Sequence, residues 1–144
     1  MRILGLDYGD MTIGVAVSDQ LQLIAYAIDI IFKKSLSDFA LETNRLSHII
    51  NEYAVEKIII GIPKNLDNSY GPQCKKTLAF KNRVQNSFPN INIILWDERF
   101  SSIAAHKNLS DAGINSFKQK KIVDKMAAVF ILQGYLDYLN LKEE

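Results

Sequence analysis

One cysteine, two histidines and a net charge of +1 in 144 residues remove several classes of protein at the outset. With Cys74 alone, no intrachain disulfide forms, and a lone thiol without a partner pattern fits a reducing compartment better than it marks a nucleophile. His48 and His106 show no metal-ligand spacing and read as ordinary helix residues. Met1-Arg2 runs straight into strand-like sequence, with no basic n-region, long apolar core or small-residue cleavage site. A secreted or membrane-spanning protein is therefore not expected, and a cytoplasmic one is. Repeats, low-complexity tracts and linkers are missing too. The 48% hydrophobic content is enough for one sizeable core, so residues 1–144 are expected to form a single domain.

The small net charge conceals an uneven distribution. Between Asn68 and Lys125 stand ten basic residues, Lys75, Lys76, Lys81, Arg83, Arg99, Lys107, Lys118, Lys120, Lys121 and Lys125, against the four acids Asp97, Glu98, Asp111 and Asp124. That segment carries +6 and the rest of the chain −5. A basic region in a near-neutral chain suits a polyanion engaged on one side, although any single lysine is as well explained by a solvated helix face.

The order of elements has an α/β rhythm. Ile3-Leu4-Gly5-Leu6 and Ile13-Gly14-Val15-Ala16-Val17, joined by a polar link, read as an antiparallel strand pair, and Ile24 to Phe32 as a third strand. Ser37 is placed to cap a helix whose apolar positions are Phe39, Leu46, Ile49, Ile50 and Tyr53, with Glu42, Asn44 and Arg45 on its other side. Lys57 to Ile62 is a short apolar run of the type buried on both faces of a parallel sheet. Gly71-Pro72 opens a second helix reaching about Phe88, and Ile91 to Trp96 forms a fifth strand. Ser101 or Ser102 caps a short helix ending near Gly113, and Ser116 with Gln119 makes a capping box for the last helix. The sum is one mixed five-stranded sheet flanked by α-helices.

Three acids stand out. Asp7 directly continues the first strand, flanked by Gly5 and Gly9. Such a carboxylate is either presented where something approaches or caps a hairpin turn. Glu98 follows the fifth strand, and Asp124 precedes Ala127 to Leu132, a stretch apolar on every side, by helical spacings that place it on the inward face. An ion pair with Lys120, Lys121 or Lys125 is the alternative for Asp124. Gathered together, the three carboxylates would repel unless a cation neutralised them. A hard divalent ion completed by water and substrate phosphate is the natural complement, Mg²⁺ first and Mn²⁺ as substitute, and it would activate water against a phosphodiester.

The residues Leu4-Gly5-Leu6-Asp7-Tyr8-Gly9, Ile13-Gly14-Val15-Ala16-Val17-Ser18-Asp19, Gly61-Ile62-Pro63, Gly71-Pro72-Gln73, Asp97-Glu98-Arg99 and Asp124-Lys125-Met126-Ala127-Ala128 with Ile131-Leu132 together resemble the YqgF family, also called RuvX. These are small bacterial proteins of the ribonuclease H-like superfamily, described as Holliday junction resolvases and as nucleases that mature the 5′ end of pre-16S rRNA. The resemblance spans nearly the whole chain. It implies a ribonuclease H-like sheet of order 3-2-1-4-5 with strand two antiparallel, and Asp7, Glu98 and Asp124 as metal-binding catalytic acids. It implies a metal-dependent nuclease processing structured RNA, on precursor ribosomal particles, as a monomer or homodimer with no membrane partner. Cleavage of four-way DNA is the alternative, and a non-catalytic RNA- or ribosome-binding module a further one. An actin-like nucleotide-binding protein ranks last, because that fold needs two lobes.

Candidate contacts to nucleic acid are Arg99, Ser101 and Ser102 after Glu98, Lys64 and Asn65 after the fourth strand, and the basic set Lys118, Lys120, Lys121 and Lys125. The two serines serve equally as helix caps, and the loop residues need have no role. Tyr8 is placed to stack on a base, whereas Trp96 suits buried packing better. Met11-Thr12 stands where the family commonly has Lys-Arg, and the cluster at 116–121 is thinner than usual. Fewer phosphate contacts imply weaker binding with a flatter salt dependence. A fourth carboxylate would come from Asp97 or Asp10, but Asp97 alternates with Glu98 and should face the other way.

Overall fold

A computed structural model describes residues 1–64, 67, 69–97, 113 and 115–142, with the backbone alone at 116–125 and 142. It contains the strands β1 (Arg2–Tyr8), β2 (Thr12–Ser18), β3 (Ala25–Phe32), β4 (Val55–Ile62) and β5 (Asn92–Asp97). Its helices, among the described residues, are α1 (Phe39–Tyr53), α2 (Pro72–Ser87) and α3 (Ser116–Lys142). The strands form one sheet in the order β3-β2-β1-β4-β5, with β2 antiparallel to both neighbours and the β1-β4 and β4-β5 pairs parallel. This is the expected mixed sheet. Parallel partners require crossovers, and α1 and α2 supply them before β4 and β5.

Two cores lie on opposite faces of the sheet. On one face Leu4, Leu6 and Tyr8 of β1 and Ile58 and Ile60 of β4 pack with Leu46, Ile49 and Ile50 of α1 and with Phe80 and Val84 of α2. On the other, Ile3, Ala16 and Ile59 meet Ala128, Ile131, Leu132, Tyr135 and Leu136 of α3. Side chains alternate along a strand, so β4 is apolar from Ile58 to Ile62, where both of its faces are covered. α3 lies across β1, β2, β3 and β4. Its C-terminal half is tied to the start of β3 and the loop before it, where the Ala25 N–H donates to Gln133 Oε1 at 2.9 Å and Gln133 Nε2 donates to the Leu23 carbonyl at 2.9 Å. Among the described residues, no helix is long and apolar enough to cross a membrane.

Two expectations change. The α1 cap is Asp38, not Ser37: its Oδ1 accepts the Leu41 N–H at 3.4 Å. Glu42 lies inside and not on the outer side, at 2% exposure. It stands four residues before Leu46 and seven before Ile49, on the same stripe of the helix. The second helix begins as expected, with Gly71 as N-cap and Pro72 in its first turn. Gly113 has the left-handed φ of +80° that suits a helix terminator, although the short helix expected before it lies outside the described residues.

Candidate active site

Asp7 belongs to β1, opposite Gly14 of β2, and the turn beyond it is closed by the backbone, Gly9 N–H to the Thr12 carbonyl at 2.8 Å. It is therefore a strand residue. Ile3, Gly5 and Asp7 form the α3-facing set of β1, and Gly5 lets the helix come close. A Cβ at Gly5 would stand 2.7 Å from Leu132 Cβ and 3.1 Å from the Ala128 carbonyl oxygen. What approaches beside Gly5 is α3 itself.

A Cβ at Gly14 would stand 3.6 Å from both Asp7 Cβ and Ala128 Cβ, so Ala128 and Asp7 flank the same gap. Since Leu132 meets Gly5 while Ala128 lies beside Asp7, α3 runs antiparallel to β1. Position 124 is one turn before Ala128, about 6 Å along the axis, which brings it past the end of β1 where Asp7 stands. The side chain of Asp124 lies outside the described residues.

The third acid approaches along β5. Leu6, Ile60 and Leu95 share a row across β1, β4 and β5, and Trp96 pairs with Gly61 one residue on. Ile94 and Trp96 face α3, while Ile93 and Leu95 face α1 and α2. Trp96 is therefore in line with Asp7, two strands or about 10 Å away, and it packs edge-on against Tyr135, with ring centroids 5.7 Å apart. Alternation places Asp97 on the far face, as expected. Glu98, Arg99, Ser101, Ser102 and Asn65 lie outside the described residues. Lys118, Lys120, Lys121 and Lys125 are on the first turns of α3, with the backbone alone described. Lys64 follows β4, bridged to Tyr70 with its Nζ 5.6 Å from that ring's centroid. Asp10 is exposed and accepts from Lys76 Nζ at 3.0 Å.

The donor chemistry suits a hard divalent cation. Asp7 is a half-buried carboxylate at the C-terminal edge of a parallel pair, beside a gap that the missing side chain of Gly14 leaves open, with a second acid position on the adjoining helix turn.

Sequence reasoning missed a buried polar network behind this site. Tyr8 is not free to stack on a base: it is buried, with its ring stacked on Phe80 at 4.3 Å. Its hydroxyl accepts from Lys33 Nζ at 2.8 Å and from Arg83 Nη2 at 3.1 Å. Glu42 accepts from both cations at 3.3 Å. A buried carboxylate needs such partners, and the helical spacing of Glu42 was the available signal.

The model of the family described as "RuvX: Holliday junction resolvase" matches residues 1–138. The chain belongs to the RuvX family. It is 44% identical over 140 residues to a protein of Agathobacter rectalis, covering 97% of each chain. It is 46% identical over 141 residues to one of Bacillus pumilus, covering 97% of this chain and 100% of the relative. Both carry the provisional name pre-16S rRNA nuclease. Among solved structures, RuvC of T. thermophilus in complex with a Holliday junction substrate aligns over 98% of this chain and 96% of its own, with a TM-score of 0.63 at 13% identity. The RuvX chain thus has the ribonuclease H-like fold of RuvC.

Proposed function

We propose that the protein is a divalent-metal-dependent nuclease that hydrolyses phosphodiester bonds in the maturation of the 5′ end of pre-16S rRNA, with residues 1–144 as one nuclease domain working in the cytoplasm. The observation that carries this reading is the convergence at the end of β1: Asp7 faces α3, and Gly5 and Gly14 let α3 approach until position 124 passes the same strand end. The provisional name of the relatives supports RNA as substrate.

In this reading Asp7, Glu98 and Asp124 hold Mg²⁺, or Mn²⁺ in its place. When bound, the ion lowers the pKa of a water and stabilises the leaving oxygen. Asp7 contributes a fixed oxygen ligand, because β1 is hydrogen-bonded on both sides and buried on both faces. Lys64, Asn65, Arg99, Ser101, Ser102, Lys118, Lys120, Lys121 and Lys125 hold the phosphate backbone, which orients the scissile bond without reading sequence.

The description of the family model favours a second reading, resolution of a four-way DNA junction. One experiment separates the two. Purified protein is given a 5′-extended pre-16S rRNA fragment and a four-way junction in parallel, with Mg²⁺ or Mn²⁺ and then with chelator, and Asp7→Asn serves as control. RNA cleavage lost on chelation, and reduced at least about 100-fold in Asp7→Asn, is expected; changes merely around a metal site reach that scale. Preference for the junction would reverse the ranking. Undiminished cleavage by Asp7→Asn would remove the metal-site reading altogether.

A further inference from the structure

The face of the sheet opposite α3 also has a feature at the end of β1. Tyr8, the neighbour of Asp7, lies at the depth of a cleft of about 170 Å³ between α1 and α2. Its mouth is formed by the exposed Leu36, Phe39 and Ala79, with Lys76 and Arg83 on the α2 side. The Arg83 guanidinium stands 3.9 Å over the Phe39 ring. Glu42 and the Tyr8 hydroxyl hold it there, and its side chain keeps 27% exposure. Around the cleft, α2 carries Lys75, Lys76, Lys81 and Arg83 and no acid. Lys75 and Lys81 form no ion pair among the described residues. Lys76 meets Asp10 in an exposed pair, an arrangement held weakly enough for a phosphate to replace.

We infer that this cleft is a nucleobase subsite: it takes one unpaired base next to the cut, while the α2 lysines hold the adjoining phosphates. The inference rests on the nuclease reading and extends it to the side of the sheet away from the acids. Size supports a single ring, since sites for drug-sized ligands start near ~300 Å³. Chemistry supports a base, because unstacked bases lie on aromatic rings and guanidinium planes, and the exposed Phe39 ring and the part-exposed Arg83 guanidinium supply both at the mouth, with the buried Tyr8 as floor. Charge distinguishes nucleic acid from an apolar protein side chain. The latter would fill the cleft but leave Lys75 and Lys81 without an anion among the described residues, and Lys76 with only its exposed pair to Asp10, on a helix that carries no acid of its own. Position completes the case, because Asp7 and Tyr8 are consecutive residues on opposite faces of one strand end. A single strand crossing that edge passes from the acids to the cleft.

The test uses Ala79→Glu and Lys76→Ala. Ala79 is exposed on α2, so a helix-forming glutamate enters the cleft without disturbing the core, and circular dichroism and melting check the fold. Fluorescence anisotropy measures affinity for a single-stranded RNA spanning the cut, without catalysis. Cleavage kinetics then use RNAs that are each abasic at one position beside the cut. Ala79→Glu is expected to weaken RNA binding and raise KM about tenfold, the scale of one stacked base, with kcat unchanged. Lys76→Ala is expected to flatten the salt dependence of binding. At one flanking position, the abasic RNA should bind wild type as weakly as intact RNA binds Ala79→Glu, and the two changes together should cost no more than either alone. Equal affinity of folded Ala79→Glu and wild type for every RNA would overturn the subsite and leave the cleft to a protein partner. RNA bound but uncut by wild type would count against the nuclease reading, while the anisotropy comparison would still decide the subsite.

Discussion

The two faces of β1 solve the same packing problem in opposite ways. Toward α1 and α2 the strand presents Leu4, Leu6 and Tyr8, and large side chains fill the space up to Phe80 and Leu46. Toward α3 it presents Ile3, Gly5 and Asp7, and the helix backbone fills the space, close enough that a Cβ at Gly5 would overlap Leu132. The first face is fixed by bulk and tolerates a buried carboxylate only because the chain supplies two cations for it. The second is fixed by close approach, and that approach brings position 124 to the end of the strand carrying Asp7. In the proposed reading, stability and chemistry are thus largely divided between the faces.

The division is most severely broken through Glu42. Glu42→Gln keeps the shape of the side chain but leaves the Lys33 ammonium, with 0% side-chain exposure, and the Arg83 guanidinium without a carboxylate. Removing one partner of a buried pair costs about 3–5 kcal/mol, which urea denaturation would show as a lower midpoint at unchanged slope. Lys33→Met should cost less, because Glu42 retains Arg83 and the methionine stem fills the same space. Equal losses in the two variants would mean that the network is no charge-balanced unit.

The other face is tested by a pair of glycines. Gly5→Ala places a Cβ against Leu132 Cβ and the Ala128 carbonyl oxygen, both fixed to the helix, so α3 must shift as a body. Overpacking of this type costs about 1–3 kcal/mol, and cleavage should fall further than stability does because position 124 moves with the helix. Gly14→Ala makes only ordinary contacts at 3.6 Å. It should change stability by no more than about 0.5 kcal/mol, yet raise the Mn²⁺ concentration needed for half-maximal cleavage, since the new methyl narrows the gap beside Asp7. Parallel losses of stability and activity in both variants would show that the faces are not specialised.

Much of this was legible in the sequence, for reasons particular residues make clear. Lys57 to Ile62 reads as a buried parallel strand because no polar residue interrupts it after Lys57, and β4 contains it, starting two residues earlier at Val55. Asp7 is conspicuous because a carboxylate continues an apolar strand between two glycines, and the structure places it on the face that α3 approaches. Glu42 and Lys33 escaped notice because periodicity treats a charge as a sign of solvent, a rule that fails when two charges are buried together. Tyr8 was misjudged for the same reason, since its hydroxyl is satisfied by those hidden cations. The α1 cap moved by one residue because Ser37 and Asp38 are both good caps and only the backbone decides between them.

The smallest effect is expected at a third carboxylate, which no cation holds in the manner of Glu42. Asp19 Oδ1 accepts the backbone N–H groups of Ile24 at 3.0 Å and Leu23 at 2.7 Å. These bonds, that from Ile24 foremost, hold its pKa below the ordinary carboxylate value. A lowered folded value means that the stabilisation is complete above the unfolded pKa and is lost as pH falls through the folded one. Wild type should therefore exceed Asp19→Asn slightly in denaturation midpoint at neutral pH, and the two should converge in acid. Amide exchange at Leu23 and Ile24 should quicken in the variant, while exchange in β1 stays unchanged. The effect is small because the carboxylate is exposed and the loop is also held by Gln133 on α3. A gap between the two proteins that persists unchanged into acid would show that the side chain's shape, and not its charge, holds the turn.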